Sequence, residues 1–150
     1  MTQINEAVNR TIVRVLEDWA MMMLDPLESS PRLYAGDDAV YMGSAEFHGP
    51  VNGRYFVICK LPFMTALAAN LLGAEETPGD EDCSDALREM VNVLSGNLLT
   101  ESYGVDCAFK LTAPLVQQVK PVELEELFKR PVFSFAADGE PVSIGFALEV

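Results

Sequence analysis

The stretch PVFSFAADGEPVSIGFALEV, residues 131–150, reads as a hairpin and decides the fold class. Val132, Phe133 and Phe135 lie on its first arm, and Asp138-Gly139 makes the turn. On the second arm Val142, Ile144, Phe146, Leu148 and Val150 alternate with Ser143, Gly145, Ala147 and Glu149. Alternation with a period of two predicts a strand with one face buried and the other less so. A terminal arm of this kind is also a candidate sheet edge, open to pairing with a second chain. A second hairpin is expected upstream, with strands at 39–48 and 54–61 joined through Gly49-Pro50-Val51-Asn52-Gly53. Asn-Gly is a strong signal for such a turn. Arg54-Tyr55-Phe56-Val57-Ile58-Cys59 is apolar at consecutive positions, which predicts burial on both faces or a central place in the sheet.

Helical periodicity fills the remaining length. Ile4, Val8, Ile12, Val15, Leu16, Trp19 and Met23 recur as one broad stripe, predicting an amphipathic helix over 3–23 that stops at Asp25-Pro26. The cluster Met21-Met22-Met23 reads as flexible core filling. Residues 25–38, with two prolines, two serines and a glycine, read as a loop. Pro62 opens and Gly73 closes a short helix over Phe63–Leu72. Residues 74–82, carrying Glu75, Glu76, Asp80, Glu81 and Asp82, read as an acidic linker. A longer helix starts at Ser84 or Asp85 and runs to about Ser102, closed by Gly104. Cys107–Thr112 looks like a strand, Pro114 and Pro121 interrupt the next segment, and Glu123–Phe128 makes a turn or two of helix. The expectation is a single domain over 1–150, matching the usual domain length of roughly 100–150 residues. Its class is α/β, with an open, mostly antiparallel sheet and helices packed on one face.

The composition excludes several functions. Ten basic against 23 acidic residues leave a net charge of −13, which repels a phosphate backbone and an anionic membrane surface. Nucleic acid and membrane are therefore not expected partners. Cys59, Cys83 and Cys107 are odd in number with no CxxC pair, so neither a disulfide framework nor a zinc site is supported. His48, the only histidine, has no companion ligand and reads as a surface residue. No GxGxxG or GxxxxGK occurs, so nucleotide binding has no support. No apolar run reaches the ~18 residues of a membrane span. Asn5, Glu6, Asn9 and Arg10 fall where a signal peptide is apolar, so a cytoplasmic location is expected.

The chemistry is concentrated on the helix from Ser84. At about 100° per residue, Ala86, Leu87, Met90, Val91, Leu94 and Leu98 share the core side. Asp85, Glu89, Asn92 and Gly96 form a narrow stripe opposite, with Arg88, Val93 and Leu99 at its margins. Asp85, near the predicted helix start, suits the dipole there. Gly96 inside a helix costs roughly 0.5–1 kcal/mol against alanine, and on the outward stripe it removes bulk where another surface approaches. Asn97 turns toward the core and needs hydrogen-bond partners. Glu89 and Asn92 alone make neither a metal site nor a nucleophile–base pair. A carboxamide can orient a water in phosphoryl transfer, and a neighbouring carboxylate can pair with a partner's lysine. Glu-x-x-Asn by itself also occurs on many merely solvated helices.

The longer string Asp85-x-x-x-Glu89-x-x-Asn92-x-x-x-Gly96-Asn97 resembles the motif of the CheC/CheX family of chemotaxis phosphatases. The order of elements is similar too: a hairpin ending in an apolar strand, a short helix closing in Leu71-Leu72-Gly73, the motif helix and a terminal strand pair. The resemblance spans most of the chain and is weakest at 113–130. It implies a hydrolase of two-component signalling that acts on the aspartyl phosphate of a CheY-type response regulator. By this resemblance Glu89 salt-bridges the regulator's lysine and Asn92 positions the attacking water. Asp85, Val93, Gly96 and Leu99 would contact the partner, and the regulator supplies the divalent metal, so the chain has no cofactor of its own. A non-catalytic module that binds receiver domains is the alternative, and a scaffold with an accidental motif is a third reading. The two-site branch of the family carries a second motif in its first helix. In this chain Glu6-Ala7-Val8-Asn9 is followed by Val13 and Arg14 in place of Gly-Asn, and Thr2 stands in place of the leading Asp or Ser. This is a degenerate or chance copy, and one intact motif looks like CheX, whose members form homodimers through sheet edges.

Overall fold

A computed structural model describes residues 2–73 and 77–149. The expected linker residues Glu75 and Glu76, the alternating Val150 and the side chain of Ile4 lie outside the described residues. Helix α1 (Thr2–Arg14) continues as a π-helical turn, Val15–Trp19, in which the Ala20 amide donates to the Val15 carbonyl at 3.2 Å. The first helix therefore ends about four residues before the predicted Met23. Met21 adopts a positive φ of 57°, a conformation unfavourable to a side-chain-bearing residue, and the chain then becomes extended. Of the three methionines only Met22 fills the core, while Met23 is 78% exposed.

Among the described residues seven strands make one sheet: β1 (Leu24–Leu27), β2 (Val40–His48), β3 (Gly53–Lys60), β4 (Lys110–Leu111), β5 (Leu115–Gln118), β6 (Val132–Ala137) and β7 (Glu140–Leu148). Their order is β1-β6-β7-β3-β2-β4, with β5 also on β2, and all pairings are antiparallel. Both predicted hairpins are present. Strand β3 is central and buried on both faces, as its unbroken apolar run requires. The terminal strand is not an edge: β7 lies between β6 and β3, with Ile144 opposite both Phe133 and Val57. The edges are β1 on one side and β4 with β5 on the other. Strand β1 starts one residue before the stretch predicted as loop and takes up its first three residues. Pro26 disguises it, yet proline is tolerated on an edge, where its missing N–H leaves no ladder bond unmade.

Three helices, α1, α2 (Leu61–Leu72) and α3 (Asp80–Tyr103), cover one face. Phe47, Tyr55, Val57, Cys59, Val142 and Ile144 of the sheet meet Leu16, Leu67, Leu87 and Leu94 there. A 3₁₀ turn at Pro31–Tyr34 and the short helix α4 (Pro121–Leu127) belong to a second, smaller core with Met42, Phe56 and Ile58. That second core explains why β7 is buried at Ser143 and Gly145 as well as at Val142 and Ile144. Inside it the Tyr34 hydroxyl donates to the Ile58 carbonyl at 3.1 Å and lies 2.7 Å from Ser143 Oγ, itself 2.7 Å from Ser134 Oγ. Burial raises the Tyr34 phenol and the Cys59 thiol well above their ordinary pKa values. Among the described residues no helix is long and apolar enough to cross a membrane.

The elements repeat. Helix α1, β1, the 3₁₀ turn, β2 and β3 are followed, after α2, by α3, β4–β5, α4, β6 and β7. Exchanging the two sets turns the sheet order into its own reverse, so the halves are related by an approximate two-fold axis between β3 and β7.

Candidate functional site

Helix α3 begins at Asp80, not at Ser84 or Asp85, so part of the predicted linker is its first turn. Asp80, Glu81 and Asp82 put three carboxylates where the helix dipole favours negative charge. The Asp82 carboxylate accepts the Gly79 amide at 3.2 Å, capping the end that a linker reading leaves open. Asp85 therefore lies beyond the first turn. At the other end the Gly104 amide donates to the Thr100 carbonyl at 2.8 Å.

The burial of α3 follows the predicted wheel. Ala86, Leu87, Met90, Val91, Leu94 and Leu98 are buried, while Asp85, Glu89, Asn92 and Gly96 are exposed. Two features lock this rotation. Gly43 of β2 lets α3 approach the sheet: a Cβ there would lie 2.8 Å from Val91 and 3.0 Å from Leu87. The sequence reading does not single out Gly43, although a glycine inside an apolar strand is the usual sign of close backbone approach. On the flank of the stripe, Asn97 finds the partners its position requires. Its Oδ1 accepts from Arg14 Nη2 of α1 at 3.1 Å, and its Nδ2 donates to the Val93 carbonyl at 2.8 Å.

Glu89 and Asn92 stand one helical turn apart in solvent, and among the described residues neither side chain has a hydrogen-bond or ion-pair partner. Asp85 is held by Arg88 of the next turn, Nη1 to Oδ1 at 2.7 Å. A Cβ on Gly96 would meet nothing within 4 Å, so among the described residues none requires a glycine there. The stripe is thus a negatively charged ridge with a carboxylate and a carboxamide free to engage another molecule and a cleared position one turn beyond.

Two expected partner contacts fare differently. Leu99 is only 7% exposed and belongs to the main core, so it is not available to a partner. Its place at the margin of the wheel is covered because α3 packs against both neighbouring helices. Val93 is half-buried and packs against the same core, leaving part of its surface at the edge of the ridge. His48 is a surface residue, 3.8 Å from Glu46. In the degenerate copy Glu6 and Asn9 are exposed, whereas Val13 is half-buried and Arg14 is engaged with Asn97.

The model of the family described as chemotaxis phosphatase CheX matches residues 41–138. No curated protein matches the chain. Among solved structures, CheX of Desulfovibrio desulfuricans superposes with a TM-score of 0.71 at 19% identity, covering 98% of this chain and 99% of that one. CheX of Vibrio vulnificus gives 0.72 at 16% identity, covering 96% and 95%. CheX of Borrelia burgdorferi, solved as a complex with CheY, BeF3 and Mg2+, gives 0.68 at 17% identity, covering 97% of both chains.

Proposed function

The chain belongs to the CheX family of chemotaxis phosphatases, and from that premise we propose that it accelerates hydrolysis of the aspartyl phosphate on a CheY-type response regulator. The observation that carries this reading is the pair Glu89 and Asn92, exposed side by side on α3 without hydrogen-bond or ion-pair partners among the described residues. Glu89 forms a charge-assisted bond with a lysine at the regulator's phosphorylation site and fixes the docked pose. Asn92 enters that site, where its carboxamide accepts from and donates to the attacking water and holds it in line with phosphorus. Positioning is sufficient chemistry for this step, because phosphoryl transfer needs little covalent help from the protein. The divalent ion that neutralises the phosphoryl oxygens is the regulator's own. The CheX of Borrelia burgdorferi, of the same fold, has been captured on CheY with Mg2+ and BeF3, which supports a receiver domain as the partner.

Asn92→Ala tests the mechanism. Phosphate release from a CheY-type regulator should fall to the unassisted rate, with melting unchanged or slightly raised, because the Asn92 side chain has no hydrogen-bond partner among the described residues and alanine is the better helix former. Retained acceleration refutes the role assigned to Asn92. Binding without any acceleration by the natural protein favours the non-catalytic module instead.

The same reading places the protein in the cytoplasm with its regulator and extends to a homodimer through a sheet edge. Strand β5 is the better edge: Leu115 there is 65% exposed, whereas Pro26 on β1 lacks a donor. Leu115→Lys should shift a sedimenting dimer to monomer, and an unchanged dimer removes β5 from the interface.

A further inference from the structure

The two-fold relation between the halves of the chain brings one pair of residues together in a way that bears on the candidate site. Glu6, Asn9, Val13 and Arg14 of α1 have the spacing of Glu89, Asn92, Gly96 and Asn97 of α3. Arg14 and Asn97, which correspond in that alignment, are 83 residues apart in sequence and bonded to each other in space. Corresponding residues of two related helices meet only near the axis that relates them, so this contact marks where α1 and α3 cross.

The contact reaches further than the two side chains. Arg14 Nη2 donates to Asn97 Oδ1 at 3.1 Å, which leaves Asn97 Nδ2 pointing at the Val93 carbonyl, 2.8 Å away. The bonded atoms span the turn from Val93 to Asn97. That turn follows Asn92 directly and contains Gly96, which loosens a helix because it adds backbone freedom. Arg14 is exposed and, among the described residues, makes no ion pair within 4 Å, although Glu17, Asp18 and Glu101 line the same cleft. Its direct bond is to Asn97.

We propose that Arg14 is a positioning residue for the α3 ridge: through Asn97 it stiffens the turn loosened by Gly96, and so holds Asn92 in the pose that steers the attacking water. The inference rests on the roles proposed for Glu89 and Asn92. The degenerate motif of α1 thereby acquires a role. Val13 fills the position cleared in α3 and packs toward the core, and Arg14, longer than asparagine, reaches across the axis to brace the working copy. The site is then a composite of two helices, one presenting the reactive side chains and the other setting their register.

The test is steady-state dephosphorylation of a CheY-type regulator charged by a small-molecule phosphodonor. Asn92→Ala, Asn9→Ala, Arg14→Ala, Arg14→Lys, Asn97→Ala and the Arg14→Ala/Asn97→Ala double variant are compared. Arg14→Ala should lower kcat roughly tenfold, less than the ~10²-fold that a 1 Å misplacement can cost. KM should move by less than about twofold, because Glu89 lies on the far side of Asn92 from the braced turn. Arg14→Lys retains a donor and should recover most of kcat. The double variant should be no slower than Asn97→Ala alone, the signature of two residues acting through one contact. Asn9→Ala should match the natural protein. In the free protein, Arg14→Ala should speed amide exchange at Val93–Asn97 while α2 stays protected. Unchanged kcat in Arg14→Ala alongside an inactive Asn92→Ala overturns the brace and leaves the mechanism standing, as do additive losses or unchanged exchange. Full activity in Asn92→Ala overturns the mechanism, and the brace falls with it.

Discussion

Gly96→Ala separates what this chain needs for itself from what it needs for a partner. Gly96 lies well inside a helix of 24 residues, and a Cβ added there meets nothing within 4 Å. Folding should therefore gain the full propensity difference, roughly 0.5–1 kcal/mol. For a protein of this size 1 kcal/mol corresponds to about 2–4 °C, so the melting temperature should rise by roughly 1–4 °C. Engagement of the regulator should change in the opposite sense. An extra methyl at a closely packed contact costs about 1–3 kcal/mol, which raises KM for the phosphorylated regulator by roughly 5- to 150-fold. Differential scanning calorimetry and the phosphate-release assay give the two numbers on one preparation. A protein that melts higher and still works at the natural KM refutes the argument that Gly96 is kept clear for a docked surface. One that melts lower refutes the open geometry around it.

Glu89→Ala should leave the melting temperature within about 1–2 °C, as expected for an unpartnered surface group, yet raise KM more than it lowers kcat; the loss should shrink in high salt because screening already weakens the natural ion pair. Leu99→Ala should cost about 2–5 kcal/mol of stability by leaving a cavity in the main core, while the folded protein keeps its KM, and urea unfolding with kinetics below the transition checks both. Alkali should destabilise the protein. Burial holds the Tyr34 and Tyr55 phenols protonated in the folded state, above their ordinary value of 10.0, so the unfolded chain loses those protons first and stability falls as the pH rises past that value. Tyr34→Phe should flatten part of that decline in melting scans between about pH 9 and 11, and an equally steep decline in the variant assigns it to other groups.

What the sequence discloses depends on whether a segment's own residues carry the signal. Both hairpins are legible because turn chemistry and apolar pattern agree within a few residues, and the centrality of β3 is legible because Tyr55–Cys59 leaves no polar face to expose. The outward stripe of α3 is legible for the same reason: helical geometry alone sets Asp85, Glu89, Asn92 and Gly96 apart from Ala86, Met90 and Leu94. The hidden features are decided by contacts distant in the chain. Strand β1 exists because β6 offers it an edge, and no local pattern announces it through Asp25-Pro26. Strand β5 follows Pro114, pairs with β2 and packs Val116 against the main core. The terminal strand reads as an edge by its position in the chain but is enclosed because β3 and β6 both pair with it. Leu99 reads as marginal because a single-helix wheel does not include the neighbours that close over it, and Gly43 matters only once α3 rests on it.

The duplicated frame bears on why one face acts when two are offered. Each half supplies a helix to the same side of the sheet, and α1 carries its own exposed carboxylate and carboxamide, Glu6 and Asn9. Those two groups alone are not sufficient for the proposed activity, because a receiving surface also has to come close to the helix backbone one turn later. In α3 that approach is open at Gly96; in α1 the corresponding place is taken by the side chain of Val13, anchored against the core. Opening the position has its own consequence, since glycine loosens the turn that must aim Asn92. A symmetric chain has to solve that problem separately in both helices. In this protein the asymmetry resolves it, because a helix that keeps Val13 stays stiff and can lend its next residue, Arg14, to the other. Loss of the motif in α1 and function of the motif in α3 are then two sides of one packing arrangement. Restoring Gly-Asn at 13–14 should accordingly slow the α3 site before it creates a second one.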